Sequence, residues 1–180
     1  TPERLETLLR MALGANMNMI RVWGGGVYES DEFYDLCDSL GLLVWQDFMF
    51  ACAAYPDFDP AFMASVKREA QATLRRLRNH PCVALWCGNN ENQWIDDQIH
   101  WREPDYPHYG RRIYEELLPA VCASMDPTRP YWPSSPYGGS DANSASEGDR
   151  HNWQVWAGQV YPRRFGEEPR VATTPEATSF

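Results

Sequence analysis

The feature that most constrains this chain is an alternation in which short, continuous apolar runs are separated by stretches with helical spacing. The runs are Asn18-Met-Ile-Arg-Val-Trp23, Leu42-Leu-Val-Trp-Gln-Asp47 and Val83-Ala-Leu-Trp-Cys87. Each is short for a helix and too uniformly apolar for a strand with one wet face, so each reads as a buried strand. The intervening stretches carry helix punctuation. Thr1-Pro2 opens a helix that places Leu5, Leu8, Leu9 and Ala12 on one face and stops at Gly14. Ser30 caps a second, with Phe33, Leu36, Cys37 and Leu40 inward and Gly41 as its stop. Asp59-Pro60 starts a third, whose stripe is Phe62, Val66, Ala70, Leu74 and Leu77, with Pro81 beyond its basic last turn. A further helix is expected over about 108–125, with Ile113, Leu117 and Val121 inward and a kink at Pro119. Tyr131-Trp-Pro-Ser-Ser135 and Asn152-Trp-Gln-Val-Trp156 add two short strands, the first weakened by its proline.

Strands that alternate with helices require a parallel sheet with right-handed crossovers. An open doubly wound sheet and a (β/α)8 barrel both satisfy this. The chain has no GxGxxG turn between strand and helix, and Gly24-Gly-Gly26 lacks that spacing. The strand ends carry polar and aromatic groups instead: Arg21 and Trp23, Asp47, and Asn89-Asn-Glu91. Such groups at the carboxyl ends of parallel strands mark the working face of a barrel. The expected fold is therefore α/β, a (β/α)8 TIM barrel. It is incomplete, because five strands are counted where the barrel needs eight, and 180 residues stand where about 250 are usual. Thr1, in place of an initiator Met or a signal pattern, suggests a piece of a longer protein.

Charge narrows the partners. Sixteen Lys and Arg against 25 Asp and Glu give a net charge of −9, which argues against nucleic acid and anionic membranes. No apolar run approaches the length of a membrane span. The basic stretch from Lys67 to Arg78 is read as a solvated helix face. Five cysteines (37, 52, 82, 87 and 122) form no CxxC pair and have no His at zinc spacing, so no metal is assigned and most are read as reduced, buried and of intracellular type. The compartment itself stays open. Eight Trp must fill a core or line a cleft, an alternative that composition leaves open.

Three constellations can carry chemistry. Glu91 ends an apolar strand, where partial desolvation would raise its pKa and let it protonate a leaving oxygen near neutral pH. It can equally cap the next segment or pair with an Arg. Asn90 beside it offers both donor and acceptor to a sugar hydroxyl. In Arg21-Val-Trp-Gly-Gly-Gly26, Trp23 can stack under a sugar ring and Arg21 can hold a carboxylate; the plainer reading buries Trp23 and pairs Arg21 internally. Asp47 can bind a substrate hydroxyl, pair with Arg21, or do both. In Gly148-Asp-Arg-His151-Asn-Trp153, His151 can donate to a sugar oxygen, although a lone histidine is more often structural. The Pro- and Gly-rich stretch from Pro127 to Asp141 is a long loop expected to serve function.

These segments resemble a known family. Asn18-Met-Ile-Arg-Val-Trp-Gly-Gly-Gly26, Leu43-Val-Trp-Gln-Asp-Phe-Met-Phe50, Asn79-His-Pro81 and Leu85-Trp-Cys-Gly-Asn-Asn-Glu-Asn92 resemble the catalytic barrel of glycoside hydrolase family 2. The Trp45-to-Cys52 run, the Ser134-Ser-Pro136 turn and the Gly-Asp-x-His-x-Trp pattern are most similar to its β-mannosidase branch, and the match runs in order to about residue 158. The resemblance implies a retaining exo-hydrolase that removes terminal non-reducing β-D-mannose from an oligosaccharide or glycoconjugate, without metal or organic cofactor. It implies that Glu91 is the general acid/base, with Asn90, Arg21, Trp23, Asp47, His151 and Trp153 in substrate contact, and it tilts Trp23, Trp45 and Trp153 toward the cleft. It also makes the five strands barrel strands two to six, leaving strands one, seven and eight and the flanking β-domains to the rest of the parent chain. The family's nucleophile is a Glu in an Arg-Phe-x-Ser-Glu-Tyr/Phe-Gly-like segment. Pro169-Arg170 begins similarly, but residues 171–180 depart from the pattern and Glu176 is flanked wrongly, so no nucleophile is assigned. On this reading the 180 residues alone are inactive. The alternatives are another family-2 glycosidase (β-glucuronidase, β-galactosidase or exo-β-glucosaminidase) or a non-catalytic sugar-binding homologue.

Overall fold

Asp59 shows how the punctuation works. Its side chain accepts from the amides of Ala61 and Phe62 (2.8 and 3.4 Å), and Pro60 fills the first helical position, where no amide partner is needed. The computed structural model describes residues 1–102, 105, 107, 109–138, 142–144 and 146–151. Its elements run α1 (Pro2–Gly14), β1 (Met19–Val22), α2 (Asp31–Leu40), β2 (Leu43–Asp47), α3 (Pro60–Leu77), β3 (Val83–Cys87), α4 (Asn92–Arg102), a π-helical turn (Ile113–Leu117), α5 (Leu118–Met125) and β4 (Tyr131–Trp132). The expected strand over 152–156 lies outside the described residues.

The chain divides into two compact units. One comprises residues 1–92 and 107–134, the other residues 93–106 and 135–180. The first holds a four-stranded parallel sheet in the order β1-β2-β3-β4. Register fixes Arg21 beside Trp45 and Gln46 beside Trp86. Side chains alternate across the sheet. Val22, Val44, Val83 and Trp86 join the core, which also holds Phe33 and Cys37 from α2, Val66, Ala70, Leu74 and Leu77 from α3, and Leu118 and Val121 from α5. Arg21, Trp45 and Asp47 fall at the alternate positions and meet one another there.

One expectation about the helices needs correction, and another gains detail. Leu8 is 52% exposed and only Leu9 of the α1 stripe is buried, because a 13-residue amphipathic helix buries the narrow seam it packs against α2 and no more. Pro119, where a kink is expected, follows closely on a π-helical stretch. It occupies the first turn of α5, and the wider π turn directly before it takes up the missing amide bond and the ring's bulk. Helix α4 was not expected from the sequence.

Gln46, fully buried on the core side, is satisfied by Tyr34, whose hydroxyl donates to its Oε1 at 2.6 Å. A second polar lock joins α2 to the entry of β3. Asp38 accepts from the Cys82 amide (2.7 Å) and meets Nδ1 of His80 (2.7 Å). Asp38, His80 and Cys82 lie close enough to invite a metal reading. Burial, however, pushes the Cys82 thiol well up, and the thiol already donates to the Tyr34 carbonyl. The trio acts as a lock. At the far end of the sheet, Asp126 accepts from the buried Trp86 indole (2.9 Å) and pairs with Arg129 (2.8 Å).

Candidate active site

Each residue singled out at a strand end sits where the parallel sheet delivers it, at a carboxyl end. Asp47 closes β2 with no exposed surface. Its Oδ1 receives the Trp45 indole N–H (2.9 Å) and Arg21 Nε (3.1 Å), and its Oδ2 receives Arg21 Nη2 (2.8 Å) and the Gly24 amide (2.9 Å). Burial pushes this carboxyl above the usual range, and the Arg21 charge, the Gly24 amide and the Trp45 indole oppose that shift. The Arg21 guanidinium also lies over the Trp45 ring, 5.4 Å from its centre. Arg21 and Asp47 therefore pair internally, and Asp47 presents no surface of its own to a ligand. Trp45, expected to lean toward the cleft, is 5% exposed. Its indole N–H is spent on Asp47, which fixes the ring under Arg21.

Trp23 does the opposite. It is 49% exposed, the most open of the described tryptophans placed near a strand end, and the core reading of it is set aside. Gly24 and Gly25 explain its position. A Cβ on Gly24 would fall 2.5 and 2.7 Å from the Phe50 and Phe48 carbonyl oxygens, so only glycine lets the β1 loop lie against the β2 loop and aim its amide at Asp47. A Cβ on Gly25 would collide with the Trp23 ring, which folds back over that glycine.

Glu91 is reached through a tightly tied loop. Beyond the strands, the ladder continues: the Asn90 amide donates to the Phe50 carbonyl (2.9 Å), and the Cys52 amide donates to the Asn90 carbonyl (3.0 Å). Asn89, fully buried, donates to the Pro133 carbonyl (2.9 Å) and accepts from the Asn92 amide (3.0 Å) and the Ser134 hydroxyl (2.7 Å). Asn92 donates to the Tyr114 hydroxyl (2.6 Å) and accepts from the Ala53 amide (3.0 Å). Glu91 rises between these anchors, partly exposed, with φ of 63°. That left-handed backbone costs a residue with a Cβ about 1–2 kcal/mol, which the anchored asparagines on both sides offset. Asn90 is 5% exposed, and its amide nitrogen lies 3.3 Å from the Cys52 sulfur. Sequence reasoning named Asn90 and Glu91 as site residues and placed Asn89 at the strand end, but gave no role to Asn89, Asn92 or Cys52. For the asparagines the signal was present in the run Asn89-Asn-Glu-Asn92, whose density of amides marks a loop that satisfies its own backbone.

His151 belongs to the second unit. Its Nε2 lies 2.9 Å from the Ser135 hydroxyl, which donates to Asp149 at 2.5 Å. The main chain of His151 exchanges two hydrogen bonds with the Asn143 side chain (2.8 and 3.0 Å). Its ring is thus integrated in a polar network. Trp153 lies outside the described residues.

With this geometry in hand, comparison with known proteins is informative. No family model matches the chain. It is 45% identical over 163 residues to β-mannosidase B of Thermothelomyces thermophilus, covering 83% of this chain and 19% of that protein. It is 42% identical over 171 residues to β-mannosidase B of Aspergillus fumigatus, covering 88% and 20%. Among solved structures, β-D-mannosidase from Dictyoglomus thermophilum superposes with a TM-score of 0.82 at 54% identity, over 89% of this chain and 20% of that one. β-Glucuronidase 3 of Bacteroides uniformis follows at a TM-score of 0.57 and 26% identity, over 73% and 16%. The chain spans about one fifth of the length of these relatives. It belongs to the β-mannosidase-like proteins of glycoside hydrolase family 2.

Proposed function

We propose that this chain is a stretch of the catalytic (β/α)8 barrel of a retaining exo-β-mannosidase, carrying barrel strands two to six, and that Glu91 is its general acid/base. The observation that carries this reading is Glu91 itself. It stands at the carboxyl end of β3 on a left-handed turn braced by Asn89, Asn90 and Asn92, in a chain 54% identical to a β-mannosidase. A parallel sheet whose four described strands follow chain order agrees with an arc of a barrel.

The mechanism follows from the carboxyl's place. As the glycosidic C–O bond breaks, Glu91 gives its proton to the departing oxygen, while a second carboxylate, about 5–5.5 Å away, attacks the anomeric carbon. Glu91, now ionised, takes a proton from the water that releases the sugar. No residue of this chain is assigned as the second carboxylate. Trp23 supplies an exposed ring on which the terminal mannose stacks. Arg21 faces the sugar as a donor held in place by Asp47, and Asp47 acts through it. Asn90 completes the contacts to sugar hydroxyls that the first unit supplies. No step calls for a metal or an organic cofactor.

In the full-length protein, Glu91→Gln should lower kcat on an unactivated β-mannoside by about 10²–10⁴-fold, the weight of a positioned general acid. An unchanged rate would sink the assignment. Turnover of the β-glucuronide, β-galactoside or β-glucosaminide in place of the β-mannoside would assign a different family-2 activity. Mannose binding that is indifferent to Glu91→Gln, with no turnover of any of these, would mark a sugar-binding homologue.

A further inference from the structure

Four of the five cysteines are buried, and Cys52 is exposed. It lies where the loop after β2 runs beside the end of β3, held there by its amide on the Asn90 carbonyl. Its φ is 51°, and that of Glu91 is 63°. Two residues with Cβ atoms in the left-handed region, neither Asn nor Asp, are uncommon individually, and here they face each other. The Cys52 sulfur lies 3.6 Å from Oε2 of Glu91 and 3.3 Å from Nδ2 of Asn90. Such strain persists where the contact it creates is useful.

We propose that Cys52 is a positioning residue for the acid/base: its S–H donates to Oε2 of Glu91 while its sulfur accepts from the Asn90 amide, fixing the plane of the carboxyl through the reaction. The proposal rests on the reading of Glu91 given above. Anchoring Oε2 sets the direction in which Oε1 points, and an error of a fraction of an ångström in that direction slows proton transfer. A thiol suits the task chemically. A strong donor would favour the carboxylate and strip the acid of its proton, whereas S–H is a weak donor that orients at little cost to basicity. Partial desolvation of the sulfur, with the nearby Glu91 charge, pushes the Cys52 thiol up from its ordinary value, so it keeps its proton at neutral pH and passes none to the substrate. The proton that leaves is that of Glu91, and it goes to the glycosidic oxygen as the C–O bond breaks.

The test compares leaving groups in the full-length enzyme. Methyl β-mannoside needs a protonated leaving oxygen, and 2,4-dinitrophenyl β-mannoside does not. Cys52→Ala and Cys52→Gly should each lose about five- to tenfold in kcat/KM on the methyl glycoside and under about twofold on the dinitrophenyl one, the effect of one modest hydrogen bond. Cys52→Ser, which keeps a donor but a stronger one, should recover only part of the loss. Glycine is the decisive variant because φ of 51° suits it, so the loop keeps its shape without the thiol. Equal losses on both glycosides, or no loss in folded Cys52→Gly, would overturn the proposal. Glu91→Ala separates the two readings: it should show a larger split of the same kind, with azide restoring turnover of the dinitrophenyl substrate. If Glu91→Ala behaves so and Cys52→Gly shows no split, the positioning role alone fails. If Glu91→Ala shows neither sign, both readings fall together.

Discussion

The Asp47 carboxylate draws four N–H donors from three residues and exposes nothing of itself. It is the residue on which the strand ends of β1 and β2 agree. Asp47→Asn removes the charge and turns one acceptor into a donor facing Arg21 or Trp45. It leaves the guanidinium, 23% exposed, without its counter-ion. Breaking a buried pair from one side costs about 3–5 kcal/mol, and the partial exposure of Arg21 places this case near the lower end. Urea unfolding of the full-length protein should show that loss, and KM for the β-mannoside should rise as Arg21 is released; an unshifted midpoint would mean the pair contributes little. The pairing was legible as one of two options, since both residues end apolar runs that become neighbouring strands. The burial of Trp45 was not. Period-two alternation says which residues share a face and not how deeply that face is covered. Cys52 was illegible for another reason. Its importance comes from a left-handed backbone, and Phe50-Ala-Cys-Ala-Ala54 contains no Gly or Asn to announce one.

At the scale of elements, Asp38 ties α2 to the start of β3. Burial raises its carboxyl, and the hydrogen bonds from Cys82 and from His80 outweigh that, leaving it below the usual carboxylate range. A carboxyl held lower in the folded chain than in the unfolded one adds stability above its unfolded value, near 4, and loses it as pH falls through the folded value. Asp38→Asn should therefore cost about 1 kcal/mol at pH 7, with the gap to the wild type closing as unfolding is measured down to about pH 3. A gap that stays constant with pH would show that charge plays no part in the lock. The helices with strong stripes, α2 and α3, were legible because cap, proline and apolar spacing agree. Helix α4 was not: Asn92-Gln-Trp-Ile-Asp-Asp-Gln-Ile carries no continuous apolar stripe, so periodicity had nothing to register. The π turn before α5 was equally hidden, because a Pro inside an apolar helical pattern predicts a kink without saying how the backbone absorbs it.

Across the whole molecule, the α/β class and the parallel sheet were readable from the alternation alone, since no other arrangement buries strands apolar on both faces. Strand order was not readable, and among the described strands it agrees with the arc of the proposed barrel. A doubly wound sheet reverses direction at a switch point, whereas β1-β2-β3-β4 follow chain order with no reversal among the described strands. An arc of this kind has consequences for the 180 residues taken alone. Among the described strands β1 and β4 each pair on one side only, and Leu8, Met11, Met17 and Leu43 are exposed by 42–66%. Open edges beside apolar surface invite strand pairing between copies. The same arc, on the proposed mechanism, carries the acid/base without an assigned nucleophile. The purified 180-residue chain should thus elute from a sizing column ahead of its 20.7 kDa monomer position and release no p-nitrophenol from the aryl β-mannoside, while the full-length protein releases it. Release by the isolated chain that disappears in Glu91→Gln would place a working second carboxylate within these residues, and a monomeric elution would mean that the exposed edges are protected by the chain itself.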